Sequence, residues 1–248
     1  MTINQPSQRR KHFVFLLIAI LFTFVYLFHI LVPVSASSGN WITINSMNYG
    51  RYYHTATSLS DGRVLITGGV LGLANSELFN PATGIWTSTG SMNIGRSSHV
   101  AILLSTGKVL VAGGFAANGD QLRSAELFDP STGMWTITGA MNNFRYFHTA
   151  TLLQDGRVLV AGGQGGGLLS SAELYDPLLG IWTITGSLNF GRQEHTATLL
   201  NNGKVLVVGG NGSVSSVNST AELYDPDTGT WTVTGTLENA RIEHTASL

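Results

Sequence analysis

The chain has 248 residues, a formal net charge of −1, 11% charged residues and no cysteine. The lack of cysteine excludes a disulfide framework and any zinc or iron–sulfur site built on thiolates. Three of the 13 lysines and arginines form a basic cluster at residues 9–11. The other basic residues and all 14 acidic residues follow this cluster. The rest of the chain is therefore mildly acidic, which excludes a strongly basic nucleic-acid-binding protein.

The N-terminal segment, residues 1–36, predicts a hydrophobic helix that is either a cleaved signal peptide or a signal anchor. Residues 13–32 are largely apolar and are followed by the small-residue triplet Val-Ser-Ala at 34–36. The length of the apolar stretch favours a spanning helix of about 20 residues, whereas the triplet favours cleavage. Both alternatives place residues 37–248 outside the cytoplasm, as a secreted domain or as one anchored to the membrane through residues 13–32.

A four-part repeat of about 47 residues organises the rest of the chain. Each unit has Arg-x-x-His, an apolar run that ends in Gly-Gly, a Glu-Leu-aromatic block and a tryptophan. The histidines are His54, His99, His148, His195 and His244. The glutamates are Glu77, Glu126, Glu173 and Glu222.

Each unit contains four short segments with strand character, which in the third unit are residues 148–153, 157–163, 171–176 and 182–186. They are rich in Thr, Val, Ile, Leu and aromatic residues, and turn residues bound them. Asp155-Gly156 between the first two is a strong hairpin signal. Asp-Pro turns that end in glycine join the last two segments in other units. The pattern therefore predicts an all-β fold of four-stranded antiparallel meanders.

This order of motifs resembles the kelch repeat of β-propellers over residues 41–248. The resemblance implies four-stranded blades around a central channel, with the first strand of each blade innermost. Four complete blades are expected, at about residues 53–89, 98–138, 147–185 and 194–234. A partial fifth blade is expected from an outer strand at 41–45 and a first strand at 243–248. Its two middle strands are missing, so we also expect self-association through open sheet edges.

Residues that recur in every unit are interpreted as parts of the scaffold. Equivalent histidines on radiating blades would lie too far apart for the ~2.0–2.1 Å bonds of a shared metal, so no metal and no cofactor is predicted. The arginine and glutamate of each unit are predicted to form partly buried ion pairs within or between blades. The tryptophans are predicted to pack between neighbouring blades.

Positions that break the repeat are the candidates for recognition, because variable loops on a rigid scaffold carry function. These positions are the two residues between each arginine and histidine, and the loops between the second and third strands. The candidate ligand-binding residues are Tyr52, Tyr53, Phe115, Arg123, Tyr146, Phe147, Gln193 and Glu194. The sequons at Asn211 and Asn218 are candidate N-glycosylation sites.

These patterns predict a non-catalytic exported scaffold that binds a protein or carbohydrate partner, and not nucleic acid, through its loops. The alternative is a remnant of a propeller enzyme of the galactose-oxidase or glyoxal-oxidase type, which the kelch resemblance also suggests. Those enzymes use copper and a tyrosine cross-linked to cysteine, and this chain has no cysteine. The sequence also shows no Ser-His-Asp set and no isolated carboxylate pair.

Overall fold

The computed structural model describes residues 43–212 and 217–248. The predicted helix at 13–32, the signal or anchor at 1–36 and Trp41 lie outside the described residues. The chain divides into two compact units, Met1–Thr43 and Ile44–Leu248, and every described strand belongs to the second. Within the described part of the chain, no helix is both long enough and apolar enough to cross a bilayer.

The second unit contains four antiparallel four-stranded sheets, each a meander of strands that follow one another in sequence. Blade 1 comprises β1 Thr55–Ser58, β2 Val64–Thr67, β3 Ser76–Asn80 and β4 Ile85–Thr89, with a 3-10 turn at Val70–Gly72. Blade 2 comprises β5 Val100–Leu103, β6 Val109–Ala112, β7 Ala125–Asp129 and β8 Met134–Thr138. Blade 3 comprises β9 Thr149–Leu152, β10 Val158–Ala161, β11 Ala172–Asp176 and β12 Ile181–Thr185.

Blade 4 has the same order but is interleaved with a short two-stranded sheet. Its strands are β14 Thr196–Leu199, β15 Val205–Val208, β17 Thr220–Asp225 and β18 Thr230–Thr236. The short sheet pairs β13 Arg192–Gln193 with β16 Asn211–Gly212. The first strands of successive blades contact one another, β1 with β5, β5 with β9 and β9 with β14, so they are the inner strands of a side-by-side array.

The hydrophobic core lies between the blades. The second strands of blades 2 and 3, each Val-Leu-Val-Ala, are buried along their whole length because both faces pack against neighbouring sheets. Each of three apolar clusters combines residues of two adjacent blades. The outer strands instead face solvent, and the side chains of Ile137 and Ile184 are 69% and 67% exposed.

Arg145 lies at the centre of a buried hydrogen-bond network in blade 3. Its Nη2 donates to Glu173 Oε1 at 2.9 Å, and its Nη1 donates to the main-chain oxygens of Gly162 and Ser171 at 2.9 and 2.8 Å. Glu173 also accepts the main-chain N–H and the side-chain amide of Asn142, at 2.6 and 2.8 Å. The network therefore joins the linker before the inner strand to the end of the second strand and the start of the third.

The same ion pair is present in all four blades, and all eight side chains are 0–1% exposed. This confirms the predicted pairing of the repeated arginines and glutamates, and shows that each pair lies within one blade's unit. The pairs are Arg51–Glu77 at 2.8 Å, Arg96–Glu126 at 3.0 Å, Arg145–Glu173 at 2.9 Å and Arg192–Glu222 at 2.7 Å.

The donors around Glu126 and Glu173 favour the charged form of these side chains in spite of burial. Burial alone would raise the pKa of Glu126, but hydrogen bonds from Asn93 and Ile94 and the charge of Arg96 outweigh it, so the pKa lies below its usual value. The pKa of Glu173 is lowered in the same way. Because the buried charge is both paired and hydrogen-bonded, removing one partner leaves the other uncompensated.

The tryptophans connect each blade to the chain that leaves the blade before it. Trp135 Nε1 donates to the main-chain oxygen of Gly90 at 3.0 Å, and Trp182 Nε1 donates to that of Gly139 at 2.8 Å. Trp86 makes the equivalent bond to Asn45 at 2.7 Å. The prediction that the tryptophans pack between blades is confirmed by these bonds.

The strands of the four blades begin and end within two residues of the predicted blade limits. Residues 43–45 and 243–248 belong to no strand. A strand is defined by its hydrogen-bonded neighbour, and neither segment pairs with a strand among the described residues. Asn45 nevertheless lies where an outer strand would end, since Trp86 binds its carbonyl.

Replacing either partner of the blade 3 ion pair is expected to be strongly destabilising. Arg145→Ala and Glu173→Ala should each lower the free energy of unfolding by about 3–5 kcal/mol, because each leaves a buried charge unpaired. The double variant should be about as stable as either single variant. Urea denaturation of the four proteins measures this cycle.

The matched control is the exposed pair Arg157–Asp155, at 2.6 Å, whose side chains are 36% and 45% exposed. Its removal should cost less than about 1 kcal/mol. Additive losses at Arg145 and Glu173, or equal losses at the two pairs, would show that burial of the ion pair does not stabilise the blade.

Candidate functional site

The residues between each arginine and histidine lie at one end of the inner strands, and in blades 2, 3 and 4 both flanking residues are buried. We call each of these two-residue segments a mouth dipeptide, and the end of the inner strands where they lie the mouth. In blade 3 the dipeptide is Tyr146-Phe147, between Arg145 at 0% and His148 at 6% exposure. The loops after the Gly-Gly pairs begin at the same end, because Thr149 at the start of β9 pairs with Ala161 at the end of β10. The repeated arginine and histidine therefore hold the two variable residues of the dipeptide at the mouth.

The histidines pack against the preceding blade. His99 Nε2 lies 3.0 Å from Thr55 Oγ1, His195 Nε2 lies 3.0 Å from Thr149 Oγ1, and His244 and Thr196 form the same contact at 3.0 Å. Each ring also lies against the first glycine of the preceding Gly-Gly pair, where a Cβ atom would collide with it. The histidines therefore fix the spacing of neighbouring blades, which is a scaffold role.

His148 is the exception, because neither of its ring nitrogens has a hydrogen-bond partner within the described part of the chain. Val100 stands at the position that Thr55, Thr149 and Thr196 occupy in the other blades. A valine has no hydroxyl group, so the ring of His148 is buried without the contact that its equivalents make. A buried polar group without a partner costs about 1–3 kcal/mol.

The second residue of every mouth dipeptide has a positive φ although none is glycine. The φ angles lie between 51° and 56° at Tyr53, Ser98, Phe147, Glu194 and Glu243. This left-handed conformation is uncommon for such residues and has a cost in free energy. Each of the four inner strands begins two residues after this position.

These five residues form a ladder of main-chain hydrogen bonds from blade to blade. The N–H of Ser98 donates to Tyr53 O at 3.0 Å, and that of Phe147 donates to Ser98 O at 3.3 Å. Glu194 donates to Phe147 O at 3.0 Å, and Glu243 donates to Glu194 O at 3.3 Å. We call this series the mouth ladder. It places the second residue of each dipeptide next to its equivalent in the neighbouring blade.

Five predicted ligand-binding residues form a continuous series of ring contacts across this mouth, which we call the aromatic arc. The centroid distances are 5.1 Å for Tyr52–Tyr53, 5.9 Å for Tyr53–Phe147, 5.3 Å for Phe147–Tyr146 and 4.1 Å for Tyr146–Phe115. The first three contacts are edge-to-face, a favourable geometry for aromatic pairs. Tyr52 and Tyr53 are 59% and 56% exposed, so the arc ends in two accessible rings.

The other three predicted residues lie elsewhere. Glu194 and Gln193 are the mouth dipeptide of blade 4, and Glu194 follows Phe147 in the mouth ladder. Arg123 contacts none of the arc rings among the described contacts, and instead lies 5.9 Å from the centroid of Phe144. Whether any of these residues binds a ligand stays a prediction.

Sequence reasoning missed the exposed residue Phe144, and it included Glu243 only among the variable positions between arginine and histidine, not among the candidate ligand-binding residues. Phe144 is 48% exposed and lies in the linker before blade 3. Glu243 occupies the ladder position after Glu194. The Arg-x-x-His pattern marks Glu243 in the sequence, but only the structure shows that it adjoins Glu194.

The two predicted glycosylation sites have different surroundings. Asn218 is 7% exposed, and its Oδ1 accepts both the N–H and the hydroxyl of Thr220 at 2.9 and 2.8 Å. A buried asparagine has no room for a glycan, so the prediction at Asn218 does not fit the folded chain. Asn211 is partly exposed in β16, and its glycosylation stays a prediction.

No group of three or more His, Asp or Glu side chains that could hold a metal ion occurs within residues 43–212 and 217–248. The histidines are instead distributed one per unit along the array. Two clefts lie at the opposite end from the mouth, between hairpin turns. One is lined by Asp155, Lys204 and Asp225, and the equivalent cleft between blades 1 and 2 is lined by Asp61, Lys108 and Asp129.

Four-stranded antiparallel meanders whose inner strands contact side by side define the chain as a protein of the β-propeller class. Residues 53–248 match the KLHDC2/KLHL20/DRC7 Kelch-repeats domain. The chain therefore belongs to the Kelch-repeat family. No curated protein matches the chain.

Two solved structures share this fold. A fungal alcohol oxidase of the AA5 family, solved in complex with copper, is 20% identical over 78% of this chain, with a TM-score of 0.52. The chain spans only 55% of the oxidase. YjhT is 13% identical over 80% of this chain and 70% of its own, with a TM-score of 0.68.

Restoring the missing hydroxyl group beside His148 should stabilise the protein. Val100→Thr is expected to raise the free energy of unfolding by about 1 kcal/mol, because it supplies a partner to a buried imidazole. The matched variant Thr149→Val removes the equivalent bond to His195 and should lower it by about as much. Urea denaturation midpoints measure both changes, and destabilisation by Val100→Thr would contradict the assignment.

The buried histidines should make the fold sensitive to mild acid. Burial and the neighbouring arginine lower the pKa of His99 and of His195 to about 3, and lower the pKa of His148 well below its usual value. The unfolded chain therefore takes up protons below pH 6.5 that the folded chain does not. The stabilisation is complete above pH 6.5 and is lost as the pH falls towards 3.

Between pH 7.5 and pH 5.5 the free energy of unfolding should fall by about 1.4 kcal/mol for each of these three histidines. The carboxylates with lowered pKa values contribute only at lower pH, since their stabilisation is present above about pH 4.5. Urea titrations at the two pH values, at constant ionic strength, measure the change. An unchanged free energy of unfolding would show that these rings are protonated in the folded state.

Proposed function

We propose that the chain is a non-catalytic recognition module that binds a segment of a partner protein at the mouth. The observation that carries this proposal is the aromatic arc, which spans three blades and ends in the exposed rings of Tyr52 and Tyr53. Aromatic side chains are enriched at the centres of protein interfaces because they bury a large area at a small cost in conformational entropy. Membership of the Kelch-repeat family, whose domains generally mediate protein interactions, supports this reading.

The repeated residues and the variable residues have different roles, and this also supports the proposal. The repeated arginine, glutamate and histidine side chains are used within or between blades. The mouth dipeptides, by contrast, differ from unit to unit: Tyr-Tyr, Ser-Ser, Tyr-Phe, Gln-Glu and Ile-Glu. A surface assembled from variable residues on a fixed frame is typical of recognition.

Carbohydrate is the second candidate partner, because two accessible tyrosine rings also offer stacking faces to a sugar. A propeller oxidase remnant is the remaining alternative, and the AA5 alcohol oxidase shares the fold. The lack of cysteine in this chain argues against a cross-linked tyrosine centre. We also propose that the module is exported, on the evidence of the basic cluster and the apolar residues 13–32.

The proposal is tested by panning a displayed library of random dodecapeptides against the full-length chain. Recovered peptides should bind the variant Tyr52→Ala/Tyr53→Ala at least about tenfold more weakly, as expected when two contact aromatics are removed. Fluorescence anisotropy with the labelled peptides measures the affinity.

The matched control, Ile137→Ala/Ile184→Ala, removes two exposed apolar side chains from the outer strands and should leave binding unchanged. Peptides that bind the tyrosine variant as well as the wild type would overturn the proposal. A glycan array tests the carbohydrate alternative. Turnover of an alcohol by the copper-supplemented chain would contradict the non-catalytic assignment.

A further inference from the structure

The mouth has an acidic side as well as an aromatic one. Glu194 and Glu243 are consecutive members of the mouth ladder, joined by a hydrogen bond of 3.3 Å from Glu243 N–H to Glu194 O. Glu194 is half-buried and Glu243 is exposed. Among the described residues, neither carboxylate takes part in an ion pair. This differs from Glu77, Glu126, Glu173 and Glu222, each of which is paired with an arginine.

A third acceptor belongs to the residue before Glu194. Gln193 is only 9% exposed, and its Oε1 has no hydrogen-bond partner among the described residues. Gln193 is the first residue of its mouth dipeptide, the position that Tyr146 holds in blade 3. A buried carbonyl oxygen without a donor is unfavourable, and the neighbouring carboxylates of Glu194 and Glu243 have no ionic partner among the described residues.

The aromatic arc adjoins this acidic side directly. Phe147 is the ladder neighbour of Glu194, since Glu194 N–H donates to Phe147 O at 3.0 Å. Phe147 also contacts Tyr53, which leads to the exposed end of the arc. The face of an aromatic ring is electron-rich and attracts cations. The two sides of the mouth therefore favour the same sign of charge in a ligand.

The charge environment of Glu194 is consistent with an unfilled requirement for a cation. Burial, and the negative charge of Glu243, raise the pKa of the Glu194 carboxyl above its usual value. A positive charge placed between the two carboxylates would remove this repulsion and would supply donors to the acceptor groups.

We propose that the mouth binds a lysine or arginine side chain of the partner protein, with the positive group between Glu194 and Glu243 and its apolar stem against the aromatic arc. This inference rests on the proposed function, because it specifies the chemistry of the segment that the mouth accepts. An ammonium or guanidinium group donates to carboxylate and amide oxygens, and its methylene stem packs on aromatic rings.

The test uses the same dodecapeptide library and the full-length chain. Peptides recovered by the wild type should be enriched in lysine or arginine, and replacing that residue by norleucine should weaken binding at least about tenfold. The variant Glu194→Gln/Glu243→Gln, which keeps the size of both side chains, should bind the original peptides about tenfold more weakly and should recover peptides without this enrichment.

The control variant Asp227→Asn/Glu238→Gln removes two negative charges from exposed positions outside the mouth dipeptides and should behave as the wild type. Peptides that lose affinity for Tyr52→Ala/Tyr53→Ala but lack lysine and arginine, and are unaffected by Glu194→Gln/Glu243→Gln, would overturn the cation inference and leave the proposed function standing. Recovery of no peptide that depends on the tyrosines would overturn the proposed function itself.

Discussion

A buried arginine in every blade is the constraint on which the rest of the structure depends. The guanidinium group can be excluded from water only if a carboxylate neutralises it and acceptors satisfy its N–H groups. The glutamate of the third strand supplies the charge, and the last residues of the second strand and the loop before the third supply main-chain oxygens. An asparagine near the arginine saturates the glutamate in turn. Each blade therefore holds its own linker in a fixed position.

The position of that linker determines what the mouth displays. Arginine and histidine fix the two ends of each mouth dipeptide, and the mouth ladder fixes the left-handed backbone between them. Most dipeptide side chains are therefore not needed to stabilise the fold. Tyr146 and Gln193, which are buried, are the exceptions. A backbone that is fixed before binding lowers the entropy cost of recognition. This explains how a repeated scaffold can present aromatic groups on one side of the mouth and carboxylates on the other.

The architecture and the pairing of arginine with glutamate could be predicted because both recur at a constant spacing. Turn residues such as Asp155-Gly156 mark the hairpins, and two charges per unit in a chain of low charge require partners. An asparagine also recurs three residues before the arginine of each blade, at Asn48, Asn93, Asn142 and Asn189. Its bond to the glutamate was not predicted, although this spacing marks it in the sequence. The positive φ at Phe147 or Glu194 could not be predicted, because no glycine or asparagine marks it.

Contacts between residues of different blades also could not be predicted from the sequence. The missing partner of His148 depends on Val100, a residue 48 positions earlier that becomes its neighbour only when blades 2 and 3 pack together. The adjacency of Glu194 and Glu243 has the same origin. Within the outer strand expected at residues 41–45, the described residues 43–45 belong to no strand, because a strand forms only beside a hydrogen-bonded neighbour.

The central claim is that the buried arginine–glutamate network holds the mouth backbone in place, and amide hydrogen exchange tests it most directly. In the wild type, the amides of Phe147 and Glu194 should exchange slowly, as expected for hydrogen-bonded members of the ladder. In Glu173→Gln, which keeps the size but not the charge, Phe147 should exchange at least about tenfold faster while the amides of β2 in blade 1 keep their protection. Rapid exchange at Phe147 in the wild type, or unchanged exchange in the variant, would contradict the claim.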